Sequence, residues 1–167
     1  MQYDMGIDEW RRIEGESKAR LDNAWLAKLL GGGLMKGLSY LLVGRRRFTS
    51  DLLAKFAVSR QASPEFKGKI VLVDCNNRFN PYAISKMAVS NGLSPTETLE
   101  NVLISRSFTW HQLVETLQNR LNPLVDRSCV DAVLVSGITK FFEYEQSYFQ
   151  ELLQAISGVK KVIAKRR

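Results

Sequence analysis

Histidine and cysteine are nearly absent from this chain of 167 residues, which has His111, Cys75 and Cys129 and no others. A zinc site needs three or four such ligands at close spacing, and neither cysteine stands at a ligand spacing from His111, so no metal is expected. No Ser-His-Asp or Cys-His pairing is readable around the one imidazole either. Two thiols are too few for a disulfide scaffold and fit a reducing compartment, so a cytoplasmic protein with free cysteines is expected. Long apolar runs are missing too. No stretch approaches the roughly 18 residues of a membrane span, and the opening MQYDMGIDEW is acidic rather than signal-like, so no membrane association is expected. Tandem repeats and low-complexity linkers are also lacking. The length then implies a single domain over 1–167, with an N-terminal extension at 1–20 and a basic strand and tail at 158–167.

Charge is present in excess of one sign. The chain carries 24 Lys+Arg against 17 Asp+Glu, a net charge of +7. The excess is concentrated. Residues 45–60 hold Arg45, Arg46, Arg47, Lys55 and Arg60 against Asp51, and the last ten residues hold Lys160, Lys161, Lys165, Arg166 and Arg167 with no acid. Two basic clusters on a nearly neutral body suit phosphate or an acidic partner. The plainer reading is a solubilising loop and a frayed basic end.

Apolar spacing predicts a helix within Ile7–Leu30, ended by Gly31-Gly32-Gly33, where no Cβ supports helical backbone. Leu38–Val43, Lys69–Asp74, Val102–Ser105, Val130–Val135 and Val159–Ala164 are short apolar runs that predict buried strands. Between them lie predicted helices at 49–61, from Pro81 to about Ser90, after Pro95, from Thr109 to a boundary at Pro123, and at 143–156. Ser94-Pro95-Thr96-Glu97 and Thr109-Trp110-His111-Gln112 are capping boxes, where a hydroxyl and a carboxyl or amide meet the free N–H groups of a helix start. Alternating helices and continuous apolar strands predict an α/β fold with a mostly parallel central sheet flanked by helices. In such sheets ligands bind at the carboxyl ends of the strands. Gly44–Arg47, Asp74–Asn77, Arg106–Thr109 and Ser136–Thr139 are therefore expected to meet along one rim.

Several segments along that rim resemble the RecA-like recombinases, particularly archaeal RadA and its paralogues. Leu21-Asp22, Leu29–Gly33, Gly37 and Gly44 resemble the entry to their ATPase core. Val73-Asp74 with Asn77 and Phe79 resembles the strand-end motif Asp-Thr-Glu-Asn-Thr-Phe. Asn101–Leu113 resembles the segment leading to a His-Gln step, and Val133–Thr139 resembles the strand that carries the Walker B aspartate. The resemblance spans about 20–164 and implies a RecA-like P-loop ATPase core. It also implies a truncated one, since an active recombinase continues with further strands and a second DNA-binding loop, and the segment after Thr139 is expected to enter a helix at once.

Departures from the family pattern bear on function. A Walker A loop, G-x-x-x-x-G-K-[ST], wraps phosphates with glycine backbone, a lysine and a magnesium-binding hydroxyl. From Gly44 this chain reads GRRRFTSD, placing Thr49 at the second glycine, Ser50 at the lysine and Asp51 at the hydroxyl. Ser136 stands at the Walker B aspartate and Asn76 at the glutamate that polarises water. Phosphoryl transfer rests on positioning and electrostatics, so the resemblance implies a pseudo-ATPase that is not an enzyme and needs neither ATP nor magnesium. The expected role is in recombination or repair, with DNA bound by Arg45, Arg46, Arg47, Lys160, Lys161, Lys165, Arg166 and Arg167, or with a RecA- or RadA-type recombinase as protein partner. Alternatives are a structural subunit in an assembly of RecA-like folds, or a residual nucleotidase around Asp51 and Asp74. A homodimer is a further expectation.

Phe141, Phe142, Tyr144, Tyr148 and Phe149 form a dense aromatic run with Leu152 and Leu153. Helical core packing accounts for most of it, with Tyr144 and Tyr148 available to a partner surface. Trp10 and Ile13 suit docking on a partner or cover for a sheet edge.

Overall fold

A computed structural model describes residues 18–19, 28, 33–35, 37–142 and 149–164. Its element order is β1 (Lys18–Ala19), β2 (Leu34–Met35), α1 (Arg46–Gln61), β3 (Lys69–Asp74), α2 (Pro81–Ser90), α3 (Pro95–Glu100), β4 (Val102–Arg106), α4 (Trp110–Glu115), a π-helical segment (Thr116–Arg120), α5 (Leu121–Arg127), β5 (Val130–Ser136) and α6 (Phe149–Ala164). The central sheet has the order β4-β3-β5 and is wholly parallel. Its three strands are those expected from their β-branched runs.

Alternation along the strands sends successive side chains to opposite faces. Ile70, Leu72, Ala132 and Leu134 face Phe56 and Ala57 of α1. Val71, Val73, Leu103, Val133 and Val135 face Leu113, Leu117, Leu121 and Val125 of the α4–α5 run, together with Ala155 and Val162 of α6. The result is a helix–sheet–helix sandwich, as the continuous apolar strands predict.

Local chemistry sets the helix starts. Asn80 caps α2 by accepting from the N–H groups of Tyr82 and Ala83. Ser94 accepts from Glu97 N–H at 3.4 Å and Thr109 from Gln112 N–H at 3.3 Å, so both expected capping residues hold their positions. Gln112 Oε1 returns to Phe108 N–H at 2.8 Å.

Five expectations need correction. Leu38–Val43 is not a buried strand: it has no regular structure, and Leu41 and Val43 are 78% and 90% exposed. Apolar composition alone does not form a strand without a neighbour to pair with. Val159–Ala164 is not a strand but the last part of α6, because Ala155, Gly158 and Val162 recur at helical spacing and form its buried face. Gly158 lets the helices touch: a Cβ there would collide with the Leu117 carbonyl. Pro123 does not end the α4 run. It lies in the first turn of α5, just past the π-helical segment, where a missing N–H costs little. After Thr139 the chain makes tight turns, with Phe142 N–H donating to the Thr139 carbonyl at 2.9 Å, rather than entering a helix at once. Within the expected helix Ile7–Leu30, Lys18–Ala19 instead pairs antiparallel with Leu34–Met35. Most of that helix, with Trp10 and Ile13, lies outside the described residues, as do Tyr144 and Tyr148.

Candidate functional site

Three of the four stretches expected at the rim come together there. In the parallel register Asp74 stands beside Arg106 on one side and Ser136 on the other. The fourth, Gly44–Arg47, arrives by a different route from the one expected. Arg60, in the last turn of α1, makes a forked ion pair with Asp131 at the start of β5, at 2.5 and 3.0 Å. With Phe56 and Ala57 packed beside Ala132 and Leu134, α1 therefore runs antiparallel to β5. A helix of 16 residues and a strand of seven each span about 23–24 Å, so the first turn of α1 lies at the rim end.

Asp74 is buried at the end of β3. Its carboxylate accepts from the N–H of Asn76 at 3.1 Å and from those of Arg78 and Phe79 at 2.8 Å each. It thereby folds the loop after β3 back onto the strand. Asn77 takes a positive φ of 52° in that loop, a conformation asparagine tolerates. Asn76 Nδ2 donates to Ser136 Oγ at 3.1 Å, so two positions expected at one site do meet. Gly137, at φ 71°, leaves room for that contact, since a Cβ there would collide with the Asn76 side chain. Lys140 Nζ donates to the Cys75 carbonyl at 2.8 Å and closes the rim from the β5 side. Burial, assisted by the Asp74 charge and opposed by Lys140, pushes the Cys75 thiol up to about 12. At neutral pH it is a protonated core residue rather than a nucleophile.

Around Gly44 the backbone enters α1 at Arg46, earlier than the expected start at 49. Thr49, Ser50 and Asp51 are inside the helix, and Thr49 N–H donates to the Arg45 carbonyl at 3.1 Å. Among the described residues no side chain caps this helix, and no acid lies in its first turn. The Ser50 hydroxyl is enclosed with no hydrogen-bond partner among the described residues, while Asp51 is exposed. Arg45 and Arg47 are exposed beside the positive end of the helix dipole. Arg60 is not free to join them, being held by Asp131.

Among the described residues the two basic clusters do not form one patch. Lys160 and Lys161 are exposed on α6, on the face of the sheet opposite α1. Lys161 donates to Gln118 Oε1 at 2.8 Å. Lys165, Arg166 and Arg167 lie outside the described residues. Among those described, no group of three His, Cys, Asp or Glu side chains is placed to share a cation, and no helix is long and apolar enough to cross a membrane. Sequence reasoning missed the Arg60–Asp131 pair and the exposed arginines and aromatics of the rim. The pair joins residues 71 positions apart, and no local pattern announces it. Arg106 was visible as a strand-end residue, whereas Arg78 lies beyond the stretch expected after β3.

A parallel sheet sandwiched by helices, with a helix starting at its carboxyl rim, is an α/β core consistent with a RecA-like one. The family model for Rad51 matches residues 20–165, and the chain belongs to that family. It is 28% identical over 121 residues to the DNA repair and recombination protein RadB of Thermococcus sibiricus, covering 72% of this chain and 50% of that protein. It is 27% identical over 121 residues to RadB of Thermococcus onnurineus, covering 72% and 51%. To the DNA repair and recombination protein RadA of Metallosphaera sedula it is 26% identical over 123 residues, covering 71% and 38%. The chain thus spans about half the length of these relatives or less.

Proposed function

We propose that this chain acts in DNA repair and recombination as a non-catalytic RecA-fold protein that binds DNA or assists a recombinase. The named relatives support the process. The observation that carries the non-catalytic part is the occupancy of the rim. Both Asp74 oxygens serve the backbone of their own loop, Ser136 is paired with Asn76, and backbone that would cradle phosphates is wound into α1 from Arg46 onward. A magnesium-bound nucleoside triphosphate needs free anionic oxygens and a loop of backbone N–H groups ahead of the helix, whereas here only the first turn of α1 is left open. The residues present do not fit such a group. DNA contact falls instead to Arg45, Arg46 and Arg47 at the helix start and to the basic end of the chain. Such binding depends on salt and is indifferent to sequence.

Partner contact is a second reading with its own support. Leu41 and Val43 are apolar and exposed, and both outer strands of the sheet have an unpaired edge among the described residues. Such edges invite a protein partner, a recombinase or a second copy in a dimer. Phosphate release tests the non-catalytic claim. With magnesium, ATP and DNA present, release is expected to match a protein-free blank. Release that scales with protein concentration and is lost in Asp74→Asn would support a nucleotidase instead.

A further inference from the structure

The run from Leu38 to Val43 carries backbone and side-chain groups that the fold leaves unused. It is fastened at Tyr40, whose hydroxyl accepts from Met35 N–H at 2.9 Å, and at Gly44, where the chain runs on into α1. Among the described residues, none of the N–H or carbonyl groups of 38–43 makes a hydrogen bond. Exposure alternates along the run: Tyr40 is half-buried, Leu41 is 78% exposed, Leu42 37% and Val43 90%. That is the two-residue period of a strand, in a segment with no described strand beside it.

The apolar surface continues past Gly44. Phe48 is half exposed, and its ring lies against Gly44, where an added Cβ would stand 3.7 Å from Phe48 Cδ1. Arg45 keeps an extended backbone, with φ −58° and ψ 132°, and both Arg45 and Arg47 are exposed. The charge is of one sign. No acid occurs between Gly37 and Ser50.

We propose that Leu38–Phe48 is an acceptor for an extended acidic segment of a partner protein, which adds to it as a strand. Alternate backbone groups of 38–43 pair with the incoming chain, and Leu41 and Val43 pack on its apolar side chains. Arg45 and Arg47 meet carboxylates at its end. Other occupants match less of the surface. Lipid leaves the open backbone groups unsatisfied, and a phosphate polymer makes no use of Leu41 and Val43. A second copy of the same run brings three more arginines and no carboxylate, so self-pairing sets cation beside cation. The inference rests on the partner-contact reading and names that partner's chemistry. The acidic segment and DNA phosphate claim the same arginines, so each excludes the other.

The test is fluorescence anisotropy of the full chain with a labelled peptide of alternating threonine and valine, flanked on both sides by aspartates. A counterpart flanked by lysines is the control. At low salt the aspartate peptide is expected to bind roughly tenfold more tightly or better, and alternate amides of 38–43 to gain protection in hydrogen exchange followed by NMR. Leu41→Ser/Val43→Ser is expected to weaken binding roughly tenfold at an unchanged thermal midpoint, since both side chains are exposed. N-methylation of alternate peptide residues is expected to abolish it. Equal affinity for the two peptides, or protection of β4 or β5 amides with 38–43 unchanged, overturns the inference and leaves the partner-contact reading standing. An oligonucleotide that protects 38–43 as fully as the peptide overturns it in favour of nucleic acid. Binding of neither peptide also overturns it, and if the chain then sediments as a monomer the partner-contact reading falls with it.

Discussion

Asp74 illustrates how one residue serves different chemistry from that suggested by its position. At the end of an apolar strand it is a natural candidate for holding a cation, yet its carboxylate accepts from Asn76, Arg78 and Phe79 N–H groups and organises the loop that presents Arg78. Removing it strands three backbone donors beside a buried strand end. Asp74→Ala is expected to cost about 2–4 kcal/mol, read as a lower urea midpoint at unchanged m-value. A cost below about 0.5 kcal/mol would mean that solvent replaces the carboxylate. The candidate residues themselves were legible in the sequence, because strand ends can be located from β-branched runs. Their pairings were not: Asn76 and Ser136 are 60 positions apart, and only the parallel register of β3 and β5 brings them together.

Elements were legible where the signal is local. The β-branched run Lys69–Asp74 folds as read, and Ser94 and Thr109 start helices with their own side chains. Reading failed where a neighbour decides. Val159–Ala164 has strand composition, but α6 continues through it because Ala155, Gly158 and Val162 face the π-helical segment. The Gly158 contact with the Leu117 backbone is the close point of that packing. Gly158→Ala therefore forces the helices apart and is expected to destabilise the fold by about 1–3 kcal/mol, although alanine favours an isolated helix. Thermal denaturation followed by circular dichroism checks the sign. A raised midpoint would show that the two helices have room to part. Leu38–Val43 failed for the opposite reason, since no described strand lies beside it to complete its pairing.

At the scale of the molecule, the described residues of the two basic clusters divide between two faces of the sheet. Arg45 and Arg47 stand at the start of α1 at the rim, while Lys160 and Lys161 ride on α6 behind the other face. A bound polyanion engages one cluster or wraps an edge to reach both. The rim cluster lies at the same end of the sheet as Arg78 and Arg106, and that end is where DNA is expected to bind without help from nucleotide. Equilibrium binding of DNA by the full chain, across a salt series and with or without magnesium and ATP, tests this most directly. The account predicts coincident curves in the two conditions, and a log–log salt slope that Arg45→Ala/Arg47→Ala reduces by about 1.4–1.8. Absence of binding near 50 mM salt, where such contacts are strong, or binding that requires ATP, would contradict it.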